Sequence, residues 1–253
     1  MKSCDSKTAP ILGRMKLLHN RLAAGLLLLI TLSPVYADDH DKLKVLYMGG
    51  RGHDSPGYEK FLTAFLDDQG GFDLVISNRL DDLRTGTIDK YDVVLFFGSG
   101  GDFTDPDQEK GFEDYVKNGG GVVGIHATDA FKKSDVYWKI FGGRFIGHGG
   151  GTFPIEFTDA THPITKGMKR FEITDESYRD KFHPATIDKL HHLGRINRGT
   201  EKHSMIWAHE YGKGRLFSTG LGHDEKAWSN PALQKLTLRA LRWVARRPIK
   251  DPR

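Results

Sequence analysis

The chain has 253 residues, of which 37 are Lys or Arg and 33 Asp or Glu, with 38% hydrophobic residues and a single cysteine. Residues 1–37 hold five of the basic residues and one of the acidic, so the remaining 216 carry 32 of each sign and no basic stripe that would draw in nucleic acid. Cys4 falls inside that first segment, which removes thiol-based acyl chemistry and disulfides from the rest of the chain.

Arg14, Lys16 and Arg21 flank an apolar run over 22–32, and Val35-Tyr36-Ala37 precedes Asp38-Asp39. A basic region, a short apolar region and a small-residue site read as a secretory signal cut after Ala37, with export to the periplasm and no stable membrane anchor after cleavage. The run is short for a membrane span. A start at Met15 would give this leader a more usual length.

Leu43-Lys44-Val45-Leu46-Tyr47-Met48 ends in Gly49-Gly50 and predicts a first buried strand. A helix over 56–69 follows, with Tyr58, Phe61, Leu62, Phe65 and Leu66 at helical spacing, Pro56 in its first turn and Gly70-Gly71 as its stop. Strands are expected at 72–76 and at 92–97, the latter nearly continuous in apolar residues and closing on Gly98-Ser99-Gly100-Gly101. Thr104-Asp105-Pro106 opens a helix that ends at Asn118-Gly119. The buried run Gly121-Val122-Val123-Gly124-Ile125 then terminates on His126.

This alternation is the pattern of a doubly wound α/β sheet, in which ligands gather at the carboxyl ends of the strands. Beyond residue 151 the pattern changes to strands over 152–157, 190–196, 203–208 and 215–219, and a last helix spans about 231–246.

Several histidines sit at glycine-rich turns: His53, His126, His148 and His223. The strand reading brings His53 and His126 to one sheet edge. Imidazoles together with Asp175, Glu176 or Asp224 would suit a divalent cation such as zinc, manganese or iron, although no H-x-x-x-H helix forces them together, and hydrogen-bonded loop histidines fit the same spacing. Ser99 lacks the Gly-x-Ser-x-Gly frame of a nucleophile elbow. Its glycine turn, with Gly100, reads either as a backbone-donor loop for a ligand oxygen or as a plain strand exit. Trp138, Trp207 and Trp228 are candidates for stacking on a sugar ring or for core packing.

Gly124-Ile125-His126-Ala127, the segment 138–143, Gly147-His148, His162-Pro163-Ile164-Thr165-Lys166-Gly167, Asp175-Glu176-Ser177-Tyr178, and Tyr211-Gly212-Lys213-Gly214-Arg215 through Leu221-Gly222-His223-Asp224 resemble, in this order, the ThuA-like (trehalose utilisation) family. The resemblance covers about 42–246, within a single domain expected over 38–253. It implies a flavodoxin-like, class I glutamine amidotransferase-like three-layer sandwich with a mostly parallel central sheet, and places His126 where true amidotransferases carry their cysteine. It further implies an exported protein of carbohydrate metabolism whose pocket holds His53, His126, His148, Glu176, His223 and Asp224. Within that pocket His126 and Glu176 are expected to be catalytic. His53, Ser99, Gly100, Trp138 and Trp228 are expected to bind substrate, and His148, His223 and Asp224 to hold a divalent metal. The expected substrate is a small carbohydrate, a keto-sugar or 3-keto-glycoside. A non-catalytic carbohydrate-binding module using the same pocket is the alternative.

Overall fold

The computed structural model describes residues 42–50 and 52–253; the leader expected over 1–37 lies outside them. The first strand, β1 (Leu43–Gly49), is buried along nearly its whole length. It is flanked in parallel by β2 (Phe72–Ser77) and β3 (Val93–Phe97), and β4 (Gly121–Ile125) extends the sheet beside β3. The connections between these strands are helical, as parallel neighbours require. Helix α1 (Ser55–Gln69) starts where Asp54 accepts the Gly57 N–H, and α2 (Pro106–Asn118) starts where Asp105 accepts the Asp107 N–H. Gly70, at φ 65°, ends α1 in a conformation that costs a glycine little.

The second half departs from expectation. A helix α3 (Asp135–Phe141), capped by Ser134, precedes a long strand β5 (Gly143–Phe157), which pairs with β6 (Phe171–Phe182). The strand expected at 152–157 is thus the end of a much longer one, and neither α3 nor β6 was anticipated. Next come β7 (His191–Arg198), β8 (Glu201–Tyr211) and β9 (Gly214–Thr219), and then helices α4 (Glu225–Trp228) and α5 (Pro231–Val244).

All nine strands join one sheet in the order β2-β1-β3-β4-β9-β8-β7-β5-β6. Pairings among β1 to β4, and of β4 with β9, are parallel, whereas every pairing from β9 through β6 is antiparallel. The sheet is therefore mixed, and the expectation of a mostly parallel one is corrected. The reason is chain length between strands: the turns at Gly199-Thr200 and Gly212-Lys213, with both glycines near φ 60°, are long enough only for antiparallel hairpins.

Side chains alternate across the sheet into two cores. Val45, Tyr47, Leu95, Phe97, Val123 and Ile125 pack under α1 and α5, and Leu46, Met48, Val94, Phe96 and Val122 pack under α2 and α3. Three layers result, helix on sheet on helix. Each fully buried Leu or Phe of these cores contributes ~1.5–3 kcal/mol relative to exposure. Among the described residues, no helix is long and apolar enough to cross a membrane. What the layers leave open is the carboxyl edge of β1, β3, β4 and β9.

Candidate functional site

The chain leaves β4 through His126, whose φ of 54° puts a non-glycine residue in the left-handed region. That conformation costs ~1–2 kcal/mol and is held by the His126 N–H donating to the Thr219 carbonyl at 2.9 Å. The ring is fully buried and lies against Tyr178, with centroids 3.8 Å apart. Its Nδ1 is 2.7 Å from the Gly220 carbonyl oxygen. A carbonyl can only accept, so Nδ1 carries the proton, and Nε2 is the atom presented to the site.

Three further groups meet that nitrogen. Glu176, on β6, places Oε2 at 3.4 Å from His126 Nε2 and at 3.4 Å from His223 Nδ1. His223 stands on the turn between β9 and α4, which is tied down by Asp175: its carboxylate accepts the Gly222 N–H at 2.7 Å, the His223 N–H at 3.1 Å and the Glu176 N–H at 2.7 Å. Trp228 secures the same turn by donating its indole N–H to the Gly222 carbonyl at 2.6 Å. His53, at the exit of β1, meets His126 and His223 edge-on, with ring centroids 4.7 and 5.0 Å away. Gly98, at φ 80°, leaves room for it, since a Cβ there would sit 3.3 Å from His53 Nδ1.

The electrostatics match the geometry. Burial, then the neighbouring His126 and His223, push the His53 imidazole down to about 4, so it is neutral at physiological pH. The contact with His126, aided by His223 and His148, holds the Glu176 carboxyl below its ordinary range, and it is ionised. Burial raises both the Tyr178 phenol and the Asp175 carboxyl.

His53 Nδ1, His126 Nε2 and His223 Nδ1 are buried without a hydrogen-bond partner, and His53, His126, His223 and Glu176 each offer one ligand atom within 4.8 Å of the others. Leaving such atoms unpaired costs ~1–3 kcal/mol each. Ligands ~2.0–2.1 Å from a common zinc-like centre stand roughly 3.3 Å apart in a tetrahedron, close to the 3.4 Å measured from Glu176 to each of two imidazoles. The donor set of three imidazoles and one carboxylate fits a divalent cation.

The structure thus brings together His53, His126, Glu176 and His223. His148, half-exposed on β5, stands at the rim with Nδ1 3.3 Å from Glu176 Oε1. Asp224 is elsewhere: its carboxylate accepts the Ala227 N–H and caps α4. Trp228 is 3% exposed and offers no face to a sugar. The Trp138 ring is covered by the Arg144 guanidinium at 4.1 Å, and its indole N–H donates to the Lys181 carbonyl at 3.0 Å. In the 98–101 turn the Gly98 amide donates to Ile125 O and the Gly100 amide to Asp129 O, so these two are committed to protein partners. The Ser99 side chain is buried against Gly52. The positioning roles of Asp175 and Tyr178 went unassigned in the sequence, although the period-two spacing of Glu176, Tyr178 and Asp180 would have pointed to one strand face.

A family model described as trehalose utilisation, ThuA, matches residues 44–244. Among solved structures, a ThuA-like protein from Parabacteroides merdae superposes with a TM-score of 0.71 at 23% identity, covering 81% of this chain and 90% of that one. A ThuA-like protein from Bacteroides uniformis gives 0.67 at 18%, covering 84% and 95%. A protein from Thermoplasma acidophilum described as part of a GMP synthase gives 0.53 at 11%, covering 81% and 94%, a likeness of fold. No curated protein matches the chain. With the family model spanning the sheet from β1 to the end of α5, and His126 at the exit of its fourth strand, the chain belongs to the ThuA family.

Proposed function

We propose that this protein is an exported, periplasmic enzyme of carbohydrate metabolism that cleaves 3-keto-glycosides with a divalent cation, zinc, manganese or iron, held by His53, His126, His223 and Glu176. The observation that carries the proposal is that three imidazoles and one carboxylate, from His53, His126, His223 and Glu176, each offer a ligand atom within 4.8 Å of the others at the carboxyl edge of the sheet. A binding module has no need of such a set. The basic, apolar and small-residue order of 1–37 supports the location.

A ketone at sugar carbon 3 acidifies the C–H bond at carbon 2. When bound, the cation supplies Lewis-acid polarisation of that ketone. Glu176 is built to take the proton: Oε2 faces the imidazoles, while Oε1 faces His148 at the half-exposed rim and is the base. As the C2–H proton moves to Glu176 Oε1, the C1–O bond breaks and the aglycone leaves. Water then adds its hydroxyl to carbon 1 while Glu176 returns its proton to carbon 2, and the remaining water proton neutralises the oxyanion of the released aglycone, so that Glu176 is restored as a carboxylate. The Nδ1–H bond to Gly220 keeps the His126 ring from rotating Nε2 away from the substrate side.

Release of aglycone from a 3-keto-glucoside, followed by NMR with and without a chelator, tests this. Chelator-sensitive release is expected, and Glu176→Gln should lower turnover by ~10²–10⁴. Turnover untouched by that substitution, or saturable binding with no product, would sink the proposal.

A further inference from the structure

The paired strands β5 and β6 present His148, Glu176 and Tyr178 on one face, and strand alternation sends Gly147, Gly149, Ser177 and Arg179 to the other. Register fixes which of these are neighbours: Gly147 stands opposite Arg179, and Gly149 opposite Ser177.

Two guanidinium groups lie on those glycines. A Cβ on Gly147 would fall 2.8 Å from Arg179 Nη2, and one on Gly149 would fall 2.5 Å from Nη1 of Arg198, which reaches across from the end of β7. The absent side chains are what let the cations settle against the strand. Arg198 Nη2 also donates to the Ser177 hydroxyl, which is buried beneath it. The glycines are two residues apart on one strand, so the two seats are about 7 Å apart.

Positive charge is left unbalanced there. Both arginines are exposed. The Arg179 side chain meets no hydrogen-bond or ion-pair partner among the described residues, and that of Arg198 meets only Ser177. The acids close to them in the strand pairing are engaged elsewhere. Asp175, on the same face of β6, is buried and turned to three backbone N–H groups, and Glu201, opposite Arg198 in the β7–β8 hairpin, is turned to His203 at 3.1 Å. Lys181, two residues beyond Arg179, and Arg144 opposite it add to the charge of that face. Like charges set side by side repel, and an anion between them reverses that.

We propose that Arg179 and Arg198 form a binding site for a phosphate group, free or carried as a monoester. Each planar guanidinium offers parallel N–H donors, and a tetrahedral dianion has enough oxygens to accept from both forks at once, whereas one fork fills a carboxylate. Arg198 is prepared for this by its seat on Gly149 and its bond to Ser177, so little side-chain freedom is lost on binding. The site stands on the opposite face of the paired strands from Glu176 and does not depend on the reaction proposed above.

NMR titration of the protein, following the arginine Nε–H resonances, tests this with inorganic phosphate, a sugar phosphate and acetate as probes. Saturable shifts at Arg179 and Arg198 are expected with both phosphates, and acetate should bind about tenfold or more weakly, the scale of losing a hydrogen bond to a charged group. Arg179→Gln should weaken phosphate binding by about tenfold or more, and so should Arg198→Lys, which keeps the charge and loses the fork. Should Arg198→Lys fail to fold, the exposed Arg179→Gln decides. Tighter binding of the sugar phosphate than of inorganic phosphate identifies the ligand as an ester, and equal affinities identify it as free phosphate. Phosphate affinity unchanged in Arg179→Gln would overturn the proposal, and that is the result expected if phosphate were drawn instead to a cation among the histidines. Acetate binding as tightly as phosphate would overturn it too.

Discussion

Asp180 shows how a single buried group can set the pH response of the fold. Both of its carboxylate oxygens are buried without a geometrically sound hydrogen-bond partner, and burial, with the nearby Asp129 adding to it, pushes the carboxyl up to about 7. Unfolded, it would titrate near ~3.9. Between these values the folded chain binds the extra proton, so this group's contribution makes stability fall as pH rises from about 4 to about 7, and the loss is complete above that. Asp180→Asn should therefore gain up to about 4 kcal/mol over the natural chain at pH 8, at 1.36 kcal/mol per pKa unit, and much less at pH 5. Urea midpoints at the two pH values check it; equal differences at both would show that Asp180 is ionised in the fold.

The turn from β9 into α4 illustrates how elements far apart in sequence aim one another's side chains. His223 is a ligand candidate only because Asp175, on β6, takes three backbone N–H groups and fixes the turn against its own strand. Asp175→Asn replaces one acceptor oxygen with a donor and orphans at least one of those amides, at ~1–3 kcal/mol. Affinity for a divalent cation should drop ~10–100-fold, the usual cost of losing an outer partner of a ligand. Competition with a coloured chelator measures this, and an unchanged affinity would mean that the turn holds its shape without Asp175.

Across the assembled fold, the four clustered groups come from the exits of β1, β4 and β9 and from β6, so a cation bound there would tie the parallel half of the sheet to the antiparallel half. Binding the folded chain alone at a hundredfold excess over Kd adds ~2.7 kcal/mol. For a domain of this size that corresponds to a Tm rise of about 5–10 °C. Calorimetry with zinc should show this rise, reversed by chelator and absent in His53→Ala. No shift with any of zinc, manganese or iron would remove the cation from the site.

Much of this was legible in the residues alone, because it depends on interactions within about ten residues. Apolar runs closing on glycine marked β1, β3 and β4, capped and periodic segments marked α1, α2 and α5, and His126 could be read as the residue presented at a strand end. β6 was not legible, because its buried positions include Asp175 and Ser177 on one face and Tyr178 on the other, so the polar groups that build the site erase the hydrophobic alternation that would reveal the strand. Sheet direction, and the arrival of Glu176 and His223 beside His53 and His126, were likewise beyond local pattern. Both follow from strand order, and strand order is set by how the two cores pack and by which loops are too short to cross over.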